Sequence, residues 1–478
     1  MTVDRYIRLT GYLLCGLLAG CAAVGPDYVA PPLPDGLSDL PSSRFEASAS
    51  PALSTDALPQ YWWRLYNDPR LDGLVQEALR ANTDVRVAAA NLERAQATLR
   101  ETQAATGVQT STEAGISVNR ASTLGINPAD GSHGLIDAGL GISYEVDVVG
   151  RIRRMIEVSA TNAQAQAGAY DLARTTVAAG VVGAYTDTCA AGARLAVARR
   201  SVSLQRQSLA LTERGVKAGI YSPLDSTRLR ALLAELESAL PPLEGTRRTA
   251  LYTLAVLTGK APINFPAEMA SCEAIPRLER PLPVGNGAEL IKRRPDIRQA
   301  ERQLAASTSQ IGIETAALYP TVTFGAGLGL TSRMGSNEFD SSAIHYSVGP
   351  LISWTFPNRK VARARIDKAG ASARAALAGF DGAVLDALRE AESALTLYAR
   401  HIEQNDRLRI ARDENRRAAQ LQNQLARGGT VSHLEALDVE RTLAAAESAL
   451  AASDATLAAD RVRIFLALGG GWETDDAD

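Results

Sequence analysis

The sequence predicts a mixed α+β membrane protein in which each chain gives four strands to a shared β-barrel and two long helical hairpins that continue from it. Three observations lead there. Apolar residues alternate with small or polar ones along four segments, 108–118, 139–147, 322–330 and 344–356. Proline-free runs beginning at Arg151 and Arg359 are long enough for unbroken helices on the order of 95 Å, at about 1.5 Å per residue. Finally, the order helix, strand, strand, long helix, tip and return helix occurs twice: Gly219, Ser222 and Leu224 recur as Gly429, Ser432 and Leu434, at an offset of 210 (429 − 219).

Taken in order, residues 1–20 read as a signal peptide, with Arg5 and Arg8 ahead of an apolar segment too short to span a bilayer. It ends in Leu18-Ala19-Gly20-Cys21, which resembles the lipobox of bacterial lipoproteins. That resemblance implies that Cys21 is the lipidated first residue of the mature chain and that Ala22 directs it to the outer membrane. Cys15 would leave with the signal, so Cys189 and Cys272 remain in an oxidising compartment, either paired or as buried thiols. Residues 21–60, rich in Pro, Ser, Gly and Asp, predict an extended and mostly irregular leader.

A first repeat is expected over 61–258. Trp62, Trp63, Leu65, Leu71, Leu74, Val75 and Leu79 recur at helical spacing from Pro59, and a long Ala-rich helix follows. Two strands flank a polar loop at 121–134, and a helix from Gly150 runs to the first tip. The return helix opens at Pro223 and is interrupted at Pro241-Pro242. A Pro-rich connector (259–286) leads to the second repeat (287–470), and 471–478 form a tail. Only 5% of the residues are aromatic and the apolar share leans on Ala, which suits helices packed closely side by side.

At each tip a Gly supplies the left-handed residue that ends one helix. A Ser three before an acid, Ser222 with Asp225 and Ser432 with Glu435, makes a capping box that starts the next. The four strands have the length of tilted membrane strands but cannot close a barrel alone, and open edges are not tolerated in lipid. Three copies would supply twelve strands around a water-filled lumen. Tyr144, Tyr346, Trp354 and Phe356 are expected near the strand ends that lead into the helices, as an interfacial belt. Basic clusters follow at Arg151, Arg153 and Arg154 and at Arg359, Lys360, Arg363 and Arg365, placed to reach headgroups or to lock the helix roots, with ordinary solvated faces an equal alternative.

Other function classes find little support. With a net charge of −3 and no long basic run, nucleic acid is not an expected partner. His133, His345, His401 and His433 lack ligand spacing, so no metal is expected. Gly325-Ala326-Gly327-Leu328-Gly329 lacks dinucleotide spacing and keeps strand parity, which reads as small lumen-facing residues. No catalytic constellation is present in the motifs, and neither enzyme activity nor a cofactor is expected.

The lipobox, Trp62-Trp63 with Asp68-Pro69, Tyr144-Glu145-Val146-Asp147 with Gly150-Arg151, Arg293-Arg294-Pro295-Asp296-Ile297-Arg298 with Ala300-Glu301, Ser353-Trp354 and the two tips resemble the outer-membrane efflux lipoproteins, the NodT-type, TolC-like exit ducts of RND-type pumps. Pro357-Asn358 departs from that pattern. The resemblance implies a homotrimer with a 12-stranded outer-membrane barrel, a periplasmic α-helical barrel and an equatorial collar. It implies a periplasmic adaptor, an inner-membrane RND pump and outer-membrane lipid as partners, with the adaptor meeting Gly219, Ser222, Leu224, Asp225, Gly429, Ser432 and Leu434. It also implies closure at the periplasmic tip, where Glu435 and Asp438 would gather around the trimer axis and need cationic answers such as Arg228. Glu435 has an equal claim as a capping residue and Asp438 a lesser one as a helix-dipole partner. A lipid-anchored structural coiled coil without a pore is the alternative, but it predicts no strand alternation, and an ordinary porin predicts no long helices.

Overall fold

The computed structural model describes residues 23–33, 45–46, 50–119, 132–278, 281–335, 341–356, 359–427 and 433–470. In chain order the elements are β1 (Leu53–Ser54), α1 (Pro69–Ala81), α2 (Thr83–Ala105), β2 (Gln109–Asn119), β3 (His133–Val146), α3 (Arg151–Lys217), α4 (Pro223–Ser238) and α5 (Leu240–Leu257). There follow β4 (Leu282–Pro283), α6 (Gly287–Arg293), α7 (Pro295–Ala316), β5 (Thr321–Arg333), β6 (Ile344–Ser353), α8 (Arg359–Arg427) and α9 (His433–Ala467). No described helix is long and apolar enough to cross a membrane.

The proline-free runs are continuous helices, α3 of 67 residues and α8 of 69. Proline sits where its missing N–H is harmless, at the start of α1 and α4 and in the first turn of α5. Pro241 and Pro242 therefore mark a break of one residue, Ala239, between α4 and α5. Two expectations are corrected. The Trp62 segment is a 3-10 turn, Trp62–Tyr66, and the α-helix begins only at Pro69, where Asp68 accepts the Arg70 N–H. The second strand starts at His133 rather than 139, inside the stretch read as loop.

Two compact units divide the chain, and each draws on both halves of it. One comprises Met1–Pro32, Asn91–Ala167 and Gln299–Phe380. It contains a four-stranded antiparallel sheet of order β2-β3-β5-β6. The described start of the chain is tied into this unit: the Val24 N–H donates to the Val149 carbonyl, and Gly25 meets Gly312 so closely that a Cβ at Gly25 would lie 2.5 Å from the Gly312 Cα.

The other unit comprises Leu33–Ala90, Gly168–Arg298 and Asp381–Asp478. Its core is small and helical: Ala178, Val181, Val182 and Leu195 of α3 are buried, as are Leu395 of α8 and Ile464 of α9. Trp62 stacks on Phe465 with ring centroids 4.2 Å apart, so the 3-10 turn plugs this unit. A parallel pair of β1 with β4 joins the leader to the connector. Cys189 and Cys272 form a disulfide, and Gly192 leaves room for the Cys272 carbonyl against α3.

Candidate functional site

The sheet carries the first part of the site. Cross-strand register puts Thr112, Leu140, Leu328 and Tyr346 in one row and Ile142, Ala326 and Val348 in another, all on one face. Ile116, Leu140, Ile142, Tyr144, Phe324, Leu328, Tyr346, Val348 and Ile352 on that face are exposed in the chain. The opposite face holds Glu113, Ser111, Asp137, Gly139, Gly141, Ser143, Gly325, Gly327, Gly329, Thr331, His345 and Ser347, with Leu135 and Leu351 as its apolar exceptions. The glycines give cross-strand side chains space: a Cβ at Gly141 would lie 2.7 Å from Ser111 Oγ. Strands of 11, 14, 13 and 10 residues have membrane-crossing length. Among the described residues β2 and β6 are open edges.

The aromatic residues need correcting. Tyr144 lies opposite Phe324 near the helical ends of their strands, as expected. Tyr346 pairs with Leu328 near the other end of β6, and Trp354 and Phe356 lie beyond that strand, which stops at Ser353.

The root of α3 is locked by local charge. Asp147 accepts the Ile152 and Arg153 N–H groups at 3.1 and 2.9 Å, capping the helix, and both Glu145 oxygens accept from Arg151 at 2.7 Å. Arg154 is buried, donating to the Val24 carbonyl, Asp27 and Glu157. Burial opposes its charge, but the bonds to Asp27 and Glu157 prevail and hold the guanidinium protonated. Sequence reasoning assigned Arg154 to a basic cluster; its partner at Asp27 lies 127 residues away and leaves no local signal.

At the first tip, Gly219 has φ +76°, and the Ile220 N–H closes on the Gly215 carbonyl at 2.8 Å. Ser222 Oγ accepts from the Leu224 N–H at 3.1 Å, and Asp225 accepts from the Ser222 N–H at 3.0 Å, so the expected capping box is formed. Leu224 stands 54% exposed, an apolar side chain at a helix start. Arg228 is exposed one turn on. In α9, Asp438 pairs with Arg441 at 3.2 Å, both exposed. Cys21, Gly429, Ser432, Pro357 and Asn358 lie outside the described residues, as do the side chains of Leu434 and Glu435.

Between tips and connector, Ser208 of α3 donates to Glu440 of α9 at 3.3 Å, and Arg416 of α8 to Glu447 at 2.7 Å, so the two hairpins lie side by side within their unit. Arg294, buried, reaches the Ala467 carbonyl at 2.7 Å together with Asp296 and Glu390. It thereby closes the end of α9, a role the sequence did not disclose.

A family model described as outer membrane efflux protein matches residues 74–260 and 287–470. The chain belongs to this family. This efflux protein is 26% identical to nodulation protein T of Rhizobium leguminosarum bv. trifolii, over 98% of both chains. It is 27% identical to a probable outer membrane lipoprotein, SilC, of Salmonella typhimurium, over 95% of this chain and 97% of that one. Among solved structures, the outer-membrane channel OprN superposes with a TM-score of 0.86 at 33% identity, covering 94% of the efflux protein and 99% of OprN. The efflux protein is accordingly an outer-membrane protein that extends into the periplasm, and its fold is that of the TolC-like channels.

Proposed function

We propose that the efflux protein is the exit duct of a tripartite pump, passively conducting small molecules across periplasm and outer membrane as a homotrimer. The observation that carries this is the sheet: an apolar exposed face, a small and polar opposite face, and two open edges. Lipid accepts no open edge, so each β2 must find the β6 of another copy, and three copies give twelve strands. The glycine and serine face then lines a watery lumen, and the long helices continue it as a tunnel. Cys21 is the lipid anchor, α6 to α9 repeat the plan of α1 to α5, and 259–286 form the collar.

Inward, the tips around Gly219, Ser222, Leu224 and Asp225, with Gly429, Ser432 and Leu434, dock a periplasmic adaptor that links the duct to an RND pump. Substrate choice lies with that pump, since a wall of small polar residues sorts by width and charge alone. The test is assembly coupled to conductance: purified protein should run as a trimer in detergent and give discrete channel steps in a planar bilayer. A stable monomer, or a trimer that never conducts even when the tips are opened by mutation, overturns the reading.

A further inference from the structure

The roots of the two long helices differ in how their cations are answered. At α3, Arg151 and Arg154 are neutralised by Glu145, Asp27 and Glu157, which leaves Arg153 alone of that cluster exposed and without an ion pair among the described residues. At α8, Arg359, Lys360 and Arg363 are exposed, and none has an ion-pair partner among the described residues. The first turn of α8 holds no acid, and Asp367, the nearest carboxylate along the helix, pairs with none of them. Positive charge near a helix N-terminus opposes the helix dipole, so the cluster is unfavourable without an external anion.

At about 100° per residue, these three side chains fall within roughly 100° of arc on α8, with Lys360 and Arg363 the farther from the buried Ala362 and Ala369. Arg365 and Lys368 point elsewhere, into a 440 Å³ cavity with Glu314, Gln310 and Asn162. Immediately before the cluster and just past the end of β6, Trp354 and Phe356 are exposed with their rings 5.2 Å apart. Aromatic rings at the end of a lipid-facing strand, followed at once by unanswered cations, match an apolar–anionic boundary.

We infer that Arg359, Lys360 and Arg363, with Trp354 and Phe356, form a docking surface for anionic phospholipid headgroups at the inner boundary of the outer membrane. The inference rests on the reading that the apolar face of the sheet meets lipid. The phosphates answer the three cations while the rings sit at headgroup depth, fixing how far the trimer sinks in the bilayer.

Native mass spectrometry of the purified full chain, titrated with phosphatidylglycerol or phosphatidylcholine, tests it. The wild type should retain phosphatidylglycerol several-fold better, a preference that shrinks as salt screens the charges. Arg359→Gln, Lys360→Gln and Arg363→Gln together should abolish that preference, while Arg389→Gln, Arg400→Gln and Arg417→Gln, exposed further along α8, should leave it intact. Equal retention of both lipids by the wild type overturns the inference alone, and retention of neither overturns the lipid-facing sheet as well. A triple variant that keeps the preference but loses trimer assigns the cations to a neighbouring copy and also overturns it.

Discussion

Three influences compete at Asp68. Burial favours its neutral acid, but the Tyr185 hydroxyl and the Arg70 side chain and N–H all donate to the carboxylate, and together they hold its pKa below the ordinary 3.8. A depressed folded-state pKa means that the contribution is present at neutral pH and is lost as pH falls through and below 3.8. Asp68→Asn keeps the cap with its one acceptor oxygen but must turn its amide N–H toward the Tyr185 hydroxyl, so it should cost about 1 kcal/mol at pH 7. It should also flatten the acid limb of the melting curve. Melting temperatures of both proteins from pH 6 to pH 3 check this, and parallel curves would refute it. Arg294 and Arg154 show the same balance with the shift reversed in sign: bonds to carboxylates raise each pKa and keep the buried guanidinium charged despite desolvation. None of these roles was legible in the sequence: Asp68 and Arg294 entered only as residues of the family motif and Arg154 as one of a basic cluster, and the helical spacing of Trp62, Trp63 and Leu65 masked the cap at Asp68.

The hairpins are where local chemistry and long-range contact meet. The tip at Gly219 and Ser222 was legible because a left-handed Gly and a capping box act within a few residues. Leu224, exposed at that tip, is where an adaptor would find an apolar contact. Leu224→Asp and Leu434→Asp should each abolish export, measured as drug accumulation, while trimer level stays unchanged; surviving export would reduce the tips to caps. Higher up, the disulfide joins α3 to the connector across a separation of 83 residues. Closing a loop of that length stabilises by about 2–4 kcal/mol. Cys272→Ser should therefore melt several degrees below the oxidised protein and close to the protein treated with reductant. Identical melting with and without reductant would show the bond to be idle.

For the whole molecule, the proposed gate turns on how Asp438 is paired. Asp438 pairs with Arg441 on its own helix, and an exposed pair three residues apart is worth at most about 1 kcal/mol. That is too little to keep Asp438 from an opposing cation in the trimer. Three bridges from Arg228 to Asp438 would add a few kcal/mol at about 1 kcal/mol each, enough to bias an equilibrium without locking it. Arg228→Ser with Asp438→Ser should raise resting conductance and sensitise cells to large antibiotics such as vancomycin. Unchanged single-channel conductance would remove both residues from the gate.

By itself the sequence determined the parity of the strands, the reach of the two long helices and the first tip's cap, because period, proline and capping act over a few residues. It misjudged strand ends at His133 and Ser353, where alternation continues past or stops short of the ladder's hydrogen bonds. Only the tertiary structure decided that β3 lies beside β5, that Cys189 takes Cys272, that Arg154 takes Asp27 and that leader and connector pair as β1 with β4. These contacts join residues roughly 80 to 230 apart, and nothing in either local stretch names its partner until packing brings the two together.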